Sequence, residues 1–292
     1  MTTFALYCKS YRTDLNRLLR LAKSIEKFNT ERIPFFLSVP DGDFELFEQY
    51  VKAFDLTLLR DEAIIEASPR ITMAQLSALP GNVAQQVIKA EFWRLEYSQA
   101  YLCLDSDAFF IRPFGRCDFL SSDGTPYTMM DEGHDLLEAA FQKKRQRIVN
   151  AFRQEAELVQ SLFHRIGRHY SFGPFPLVWH SAVWNSLDTQ FLQPKGMNLV
   201  DAISMAPIES RWYGEALLAF KAIDILPCQA MFKVYHYAWQ LDKELLRAAD
   251  VTNIYCGVIY QSAWERELDW PREGGLWYSR LGRRLRRMLG RI

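Results

Sequence analysis

Two aspartates, Asp105 and Asp107, stand one residue apart in YLCLDSDAFFIRPF (101–114), directly after four apolar-leaning positions. Carboxylates at a strand end can hold a hard divalent cation, and Mg²⁺ or Mn²⁺ held in this way binds the oxygens of a diphosphate. A D-x-D pair also arises in solvated turns, where it only caps the chain. The apolar strand before it and the apolar AFFIRPF behind it favour the metal role. Upstream, Gln85 and Lys89 in QQVIKA (85–90) are four apart and share one helix face. Downstream, APIESRWYGEALLAF (206–220) carries Glu209 and Glu215 on either side of an aromatic pair at the start of a helix. Glu215 falls in that helix's first turn, where a carboxylate is favoured electrostatically whatever its role. MFKVYHYAW (231–239) offers His236 between two tyrosines on a strand-like segment, with Lys233 three residues earlier. A lone histidine on an apolar strand is also a common hydrogen-bonded core residue. As a ligand, neutral imidazole suits Mn²⁺ better than Mg²⁺.

The elements that must position these residues are visible as changes of periodicity. FALYC (4–8) reads as a strand, and TDLNRLLRLAKSIEKF (13–28) as a helix with Leu15, Leu18, Leu19, Ala22 and Ile25 on one face. IPFFLSV (33–39) is a second strand ended by the turn-like PDGD. A helix over 43–54 and a strand over 56–61 follow. A Pro-Gly turn opens a helix over 79–95, and YLCLDSD is the next strand. Strands alternating with helices predict a parallel α/β sheet, and ligands of such sheets gather beyond the carboxyl ends of the strands. Residues 134–168 read as one or two long amphipathic helices, SFGPFPLVW (171–179) as a loop or strand, and SAVWNSL as the start of another helix.

Taken together, QQVIKA, LCLDSDAFFIRPF (102–114), the FGPFPLVWHSAVW region (172–184) and ESRWYG (209–214) resemble the GT-A glycosyltransferases, and more narrowly small bacterial DxD-containing members of uncharacterised type. The resemblance spans roughly residues 1–240. It implies a Rossmann-like GT-A fold with a mostly parallel sheet, helices on both faces and a helical elaboration. It implies a nucleotide-sugar donor and a divalent metal, with Asp107 as the main metal ligand, Asp105 supporting the ribose or the metal's waters, and His236 as a third ligand. Gln85 and Gln86 would hydrogen-bond the nucleotide, and Lys89 would place a point charge on phosphate. Lys233 would neutralise the departing diphosphate, or be a surface lysine. Ser10, Tyr11 and Asp14, after the first strand, would meet the base or ribose. The pattern of an acid shortly before Tyr-Gly aligns Glu209 as the catalytic base, with Glu215 as the alternative, and leans towards inversion. Trp179, His180, Trp184, Trp212 and Tyr213 are sugar-stacking walls or core, and Phe172–Pro176 is a loop placed for the acceptor. A single catalytic domain is expected over 1–275, with a nucleotide-binding half to about 120 and an acceptor half from about 121.

Composition limits the alternatives. Hydrophobic residues make up 49% and charged residues 24%, as in an ordinary globular enzyme. Formal net charge is zero, but six of the 35 basic residues lie in 280–292 with no acid, leaving 29 against 35 acidic residues before them. That balance speaks against a nucleic-acid binder. The tail 276–292 places Leu281, Leu285, Met288, Leu289 and Ile292 on one stripe amid arginines, the composition of an interfacial helix drawn to anionic lipid. The five cysteines are never closer than fourteen residues, so neither a zinc pair nor a secreted disulfide framework is suggested. With no leader pattern and no long apolar run, the chain is expected to be cytoplasmic, peripheral on the inner face of the plasma membrane. The rival activities are a haloacid-dehalogenase-like phosphatase, against which Ala108-Phe109-Phe110 counts, and a non-catalytic sugar-nucleotide-binding scaffold.

Overall fold

The first apolar run becomes β1 (Thr2–Lys9), whose side chains alternate between two separate cores. Phe4, Leu6 and Cys8 enter one, and Ala5 and Tyr7 the other. Burial on both faces is the condition of a strand inside a parallel sheet, which is why its sequence reads as continuously apolar. The computed structural model describes residues 2–142, 144–237, 239–242 and 250–261.

Chain order is β1, α1 (Leu15–Phe28), β2 (Phe35–Val39), α2 (Asp41–Val51), β3 (Thr57–Arg60), α3 (Asp61–Glu66), α4 (Met73–Ser77), α5 (Gly81–Glu91) and β4 (Ser98–Leu104). Then come β5 (Ala108–Phe110), β6 (Tyr127–Met129), α6 (His134–Gln142), α7 (Gln146–Leu162), β7 (Leu177–His180) and α8 (Ser181–Ser186). The last described elements are α9 (Leu199–Met205), α10 (Glu209–Phe220), β8 (Leu226–Cys228), β9 (Phe232–Tyr235) and β10 (Gly257–Tyr260).

The main sheet runs β3-β2-β1-β4-β7. Its first four strands are parallel, and β7 pairs antiparallel with β4. This is a Rossmann-like α/β architecture closed by one antiparallel edge. Two smaller sheets, β5-β10-β9 and β6-β8, lie outside it. Residues Leu18, Leu21, Ala22 and Ile25 of α1 belong to the core under one face, and Val87, Ile88 and Ala90 of α5 to the core under the other.

Several boundaries differ from the sequence expectation. PDGD does not end in a turn: Pro40 precedes α2, and Asp41 and Asp43 occupy its first turn, where negative charge meets the helix dipole. Asp61, expected as the end of a strand, opens α3. The helix α4 was not expected, although its capping box was legible as Thr72-x-x-Gln75. The 134–168 region forms two helices, and 171–176 is a loop before β7.

Contacts divide the chain into two units, Met1–Val234 with Asp250–Ile259, and Tyr235–Ala249 with Tyr260–Ile292. The basic tail 276–292 lies outside the described residues. Among those described, no helix is long and apolar enough to cross a membrane.

Candidate active site

Strand order reverses at β1. From there the chain builds outward through β2 and β3, then returns to place β4 on the opposite side. The α1 and α5 crossovers cover opposite faces, and the carboxyl ends of β1 and β4 stand at the usual ligand position of doubly wound sheets. The register sets Cys8 opposite Leu104, which brings Lys9 and Ser10 beside the turn Asp105-Ser106-Asp107. That turn is fixed locally: the Ala108 N–H donates to Asp105 O at 3.0 Å, and the Ser106 hydroxyl donates to Ser10 Oγ at 3.1 Å.

Asp105 is the open member of the pair, with its side chain 38% exposed, whereas Asp107 is buried. Lys89, in the last turn of α5, directs Nζ to Asp105 Oδ1 at 2.5 Å and to Glu209 Oε1 at 3.6 Å. Lys89 is therefore not on a solvated helix face; its neighbours Val87, Ile88 and Ala90 are core, and its ammonium lies 4.4 Å from the Phe175 ring centre. Burial works against its charge, but Asp105 and then Glu209 more than offset this and push its pKa up. Glu209, the first residue of α10, is almost fully buried, and burial raises its carboxyl above the usual range although Lys89 pulls it down. Its backbone N–H donates to Gln86 Oε1 at 3.2 Å, and Gln86 Nε2 donates to Asn82 O. Gln86, expected to hydrogen-bond the nucleotide, thus ties α5 to α10.

The loop 171–176 lies along the first turns of α10. The Ser210 hydroxyl donates to Ser171 O at 3.3 Å, and a Cβ at Gly214 would overlap the Phe172 ring. Glu215 faces a different partner: Arg165 grips its two oxygens at 2.6 and 2.7 Å. The two base candidates are thereby separated, since only Glu209 joins the Lys89 cluster.

The remaining expected residues have settings of their own. Ser10 is buried, Gln85 is partly exposed, and Tyr11 is 38% exposed with Lys9 Nζ 5.5 Å from its ring centre. Asp14 pairs with Arg17. Lys233, in β9, lies over the Tyr255 ring at 5.9 Å. His236 is a buried residue of the smaller unit, its N–H donating to Gln240 Oε1 at 2.7 Å. Trp179, Trp184, Trp212 and Tyr213 are not stacking walls; they pack in the core, with Trp179 and Trp184 ring centres 5.0 Å apart. His180 is partly buried and caps α8 by accepting the Ala182 N–H on Nδ1. Phe141 and Phe152 line a space of about 650 Å³ along α6 and α7, together with Arg153, Arg168 and Glu157.

One buried pair was missed by sequence reasoning. Lys9 at the end of β1 meets Asp61 at the start of α3 at 3.4 Å, beside a 3.0 Å Tyr7–Ser38 hydroxyl contact. Burial raises the Asp61 carboxyl to about 6, Lys9 offsetting only part of it. The strand-end rule that selected Asp105 would also have selected Asp61.

Among the described residues, no three His, Cys, Asp or Glu side chains converge as a metal-holding group. The donor set is instead an open Asp105 with Asp107 one residue on. That fits Mg²⁺ or Mn²⁺ in its phosphate-bridging form, which takes one or two carboxylates and fills its shell with water and phosphate oxygens.

A model of DUF6492, a family of unknown function, matches residues 4–213. The chain belongs to the DUF6492 family. The matched DUF6492 region contains Asp105, Asp107, Lys89 and Glu209, and ends before Glu215, Lys233 and His236. No curated protein matches the chain.

Proposed function

We propose that this DUF6492 chain is a metal-dependent glycosyltransferase that moves a sugar from a nucleotide-sugar donor to a glycan or lipid-linked acceptor, in the synthesis of a bacterial surface polysaccharide. The observation that carries the proposal is one open carboxylate, Asp105, at the β1/β4 reversal point, joined through Lys89 to the buried carboxylate of Glu209. A divalent cation on Asp105 and Asp107 would supply charge neutralisation to the donor's diphosphate. Lys89 adds a positive charge beside it. Glu209 is the base: its oxygen takes the acceptor hydroxyl proton as that oxygen bonds to the anomeric carbon and the nucleoside diphosphate leaves. Lys89 pulls the Glu209 carboxyl down against the rise that burial causes, which favours its proton-accepting form. Inversion at the anomeric carbon follows from a single displacement of this kind. Glu215, held by Arg165, has no part in the step. The cavity walled by Phe141 and Phe152 offers the acceptor an aromatic surface.

The test is thermal unfolding with UDP-, GDP-, CMP- and dTDP-linked sugars, with and without Mn²⁺, on wild type and Asp107→Ala. A donor at a hundred times its Kd stabilises the fold by about 2.7 kcal/mol. The expected result is a Mn²⁺-dependent shift with one nucleotide class, lost in the variant. No shift with any donor sinks the proposal.

A further inference from the structure

We infer that Lys89 is a shared counter-ion, and that a divalent cation arriving on Asp105 transfers the ammonium from Asp105 to Glu209. The inference rests on the reading of Asp105 as the cation-binding carboxylate and adds how that site is regulated from within. Three observations carry it. Lys89 makes a full 2.5 Å contact with Asp105 and only a long 3.6 Å one with Glu209. The receiving atom, Glu209 Oε1, is buried and accepts no hydrogen bond. Finally, Asp105 is open to solvent while Lys89 and Glu209 are both closed off from it.

A divalent cation on Asp105 sets three positive charges against one carboxylate, and on the buried Lys89 side water and salt screen the repulsion only weakly. The ammonium, covered by Phe175, has a nearby acceptor ready in Glu209 Oε1. Closing the gap to hydrogen-bond length takes less than about 1 Å. Gln86 holds the Glu209 backbone, so this acceptor stays within reach. Glu209 then governs cation affinity at Asp105 without touching the cation. Losing its charge leaves Lys89 with Asp105 alone, and the ammonium competes with the metal.

The experiment is a Mn²⁺ titration of the whole chain, with free Mn²⁺ read by electron paramagnetic resonance, on wild type, Asp105→Asn, Glu209→Gln and Lys89→Met. Wild type is expected to bind, and Asp105→Asn to lose binding. Glu209→Gln should weaken affinity by about tenfold, and Lys89→Met should strengthen it by about tenfold. A merely structural role would weaken both. If Glu209→Gln and Lys89→Met bind like wild type while Asp105→Asn does not, the counter-ion role is overturned and the cation site stands. Absence of Mn²⁺ binding in wild type overturns both. Should Lys89→Met fail to fold, the near-isosteric Glu209→Gln decides. A second measurement needs only wild type: Mg²⁺ should shift the Lys89 side-chain ¹⁵N resonance, and an unmoved resonance under saturating Mg²⁺ rejects the transfer.

Discussion

Burial has opposite consequences for the carboxylates of this chain, depending on what each one meets. Glu215 is sealed in but gripped by both arms of Arg165, so its charge is fully matched. Asp61 has Lys9 at 3.4 Å and the Ser38 hydroxyl beside it, and one of its oxygens accepts no hydrogen bond. Its carboxyl is raised to about 6. For an acid with a raised folded-state pKa, the fold prefers the protonated form. Asp61 is therefore neutral to stability below about pH 4, and destabilises progressively as pH rises to about 6, by an amount on the order of 3 kcal/mol. Measured against Asp61→Asn, the wild type should lose relative stability across that window and no further above it. A carboxyl ¹³C titration of Asp61 should have its midpoint near 6. A midpoint in the ordinary aspartate range would show that Lys9 compensates burial fully. Asp61 was readable as a strand-end carboxylate, but its partner was not, because Lys9 also fits a solvated strand end by sequence.

Helix α10 illustrates how an element serves packing and chemistry together. Its first turns present Glu209 to Lys89, Ser210 to the 171–176 loop and Gly214 to the Phe172 ring. Glycine is required at 214 by this close approach and not by its backbone angles. Gly214→Ala should displace Phe172 and cost about 1–3 kcal/mol, as overpacking of a tight core does. In chemical denaturation, Phe172→Ala combined with Gly214→Ala should show much less than the sum of the single losses. Additive losses would mean that ring and helix are not in contact. The existence and start of this helix were legible from its periodic apolar residues, yet the same periodicity made Trp212 and Tyr213 look available for sugar. An aromatic stripe reads alike whether it faces a core or a ligand, and here both rings are core: Tyr213 packs against Trp179 and Trp184, and Trp212 against Phe163 and Phe191.

At the scale of the whole molecule, the charge asymmetry of residues 280–292 is the least ordinary feature of the sequence outside the candidate site. Six arginines and no acid in thirteen residues give the chain a cationic end, and the rest of the sequence balances it. An acceptor carried on lipid would bring the candidate site and an anionic surface to the same place. Removing 280–292 should abolish co-sedimentation with phosphatidylserine-containing vesicles and leave the thermal response to nucleotide-sugars unchanged. Equal sedimentation of both forms would rule out a membrane role for the tail.

Residue order was enough to reveal the α/β alternation, the buried character of β1 and β4, and two aspartates where β4 ends. These are local properties: periodicity reports burial, and a carboxylate after an apolar run reports a strand end. Packing of distant elements settled that β1 is the reversal point, that Lys89 meets Asp105 and Glu209 at once, that Glu215 meets Arg165, and that Trp179, Trp184 and Trp212 are core. Each of those depends on which distant elements the crossovers bring side by side. Pairing between distant side chains is set by sheet order and helix packing, and neither is written in the spacing of residues along one element.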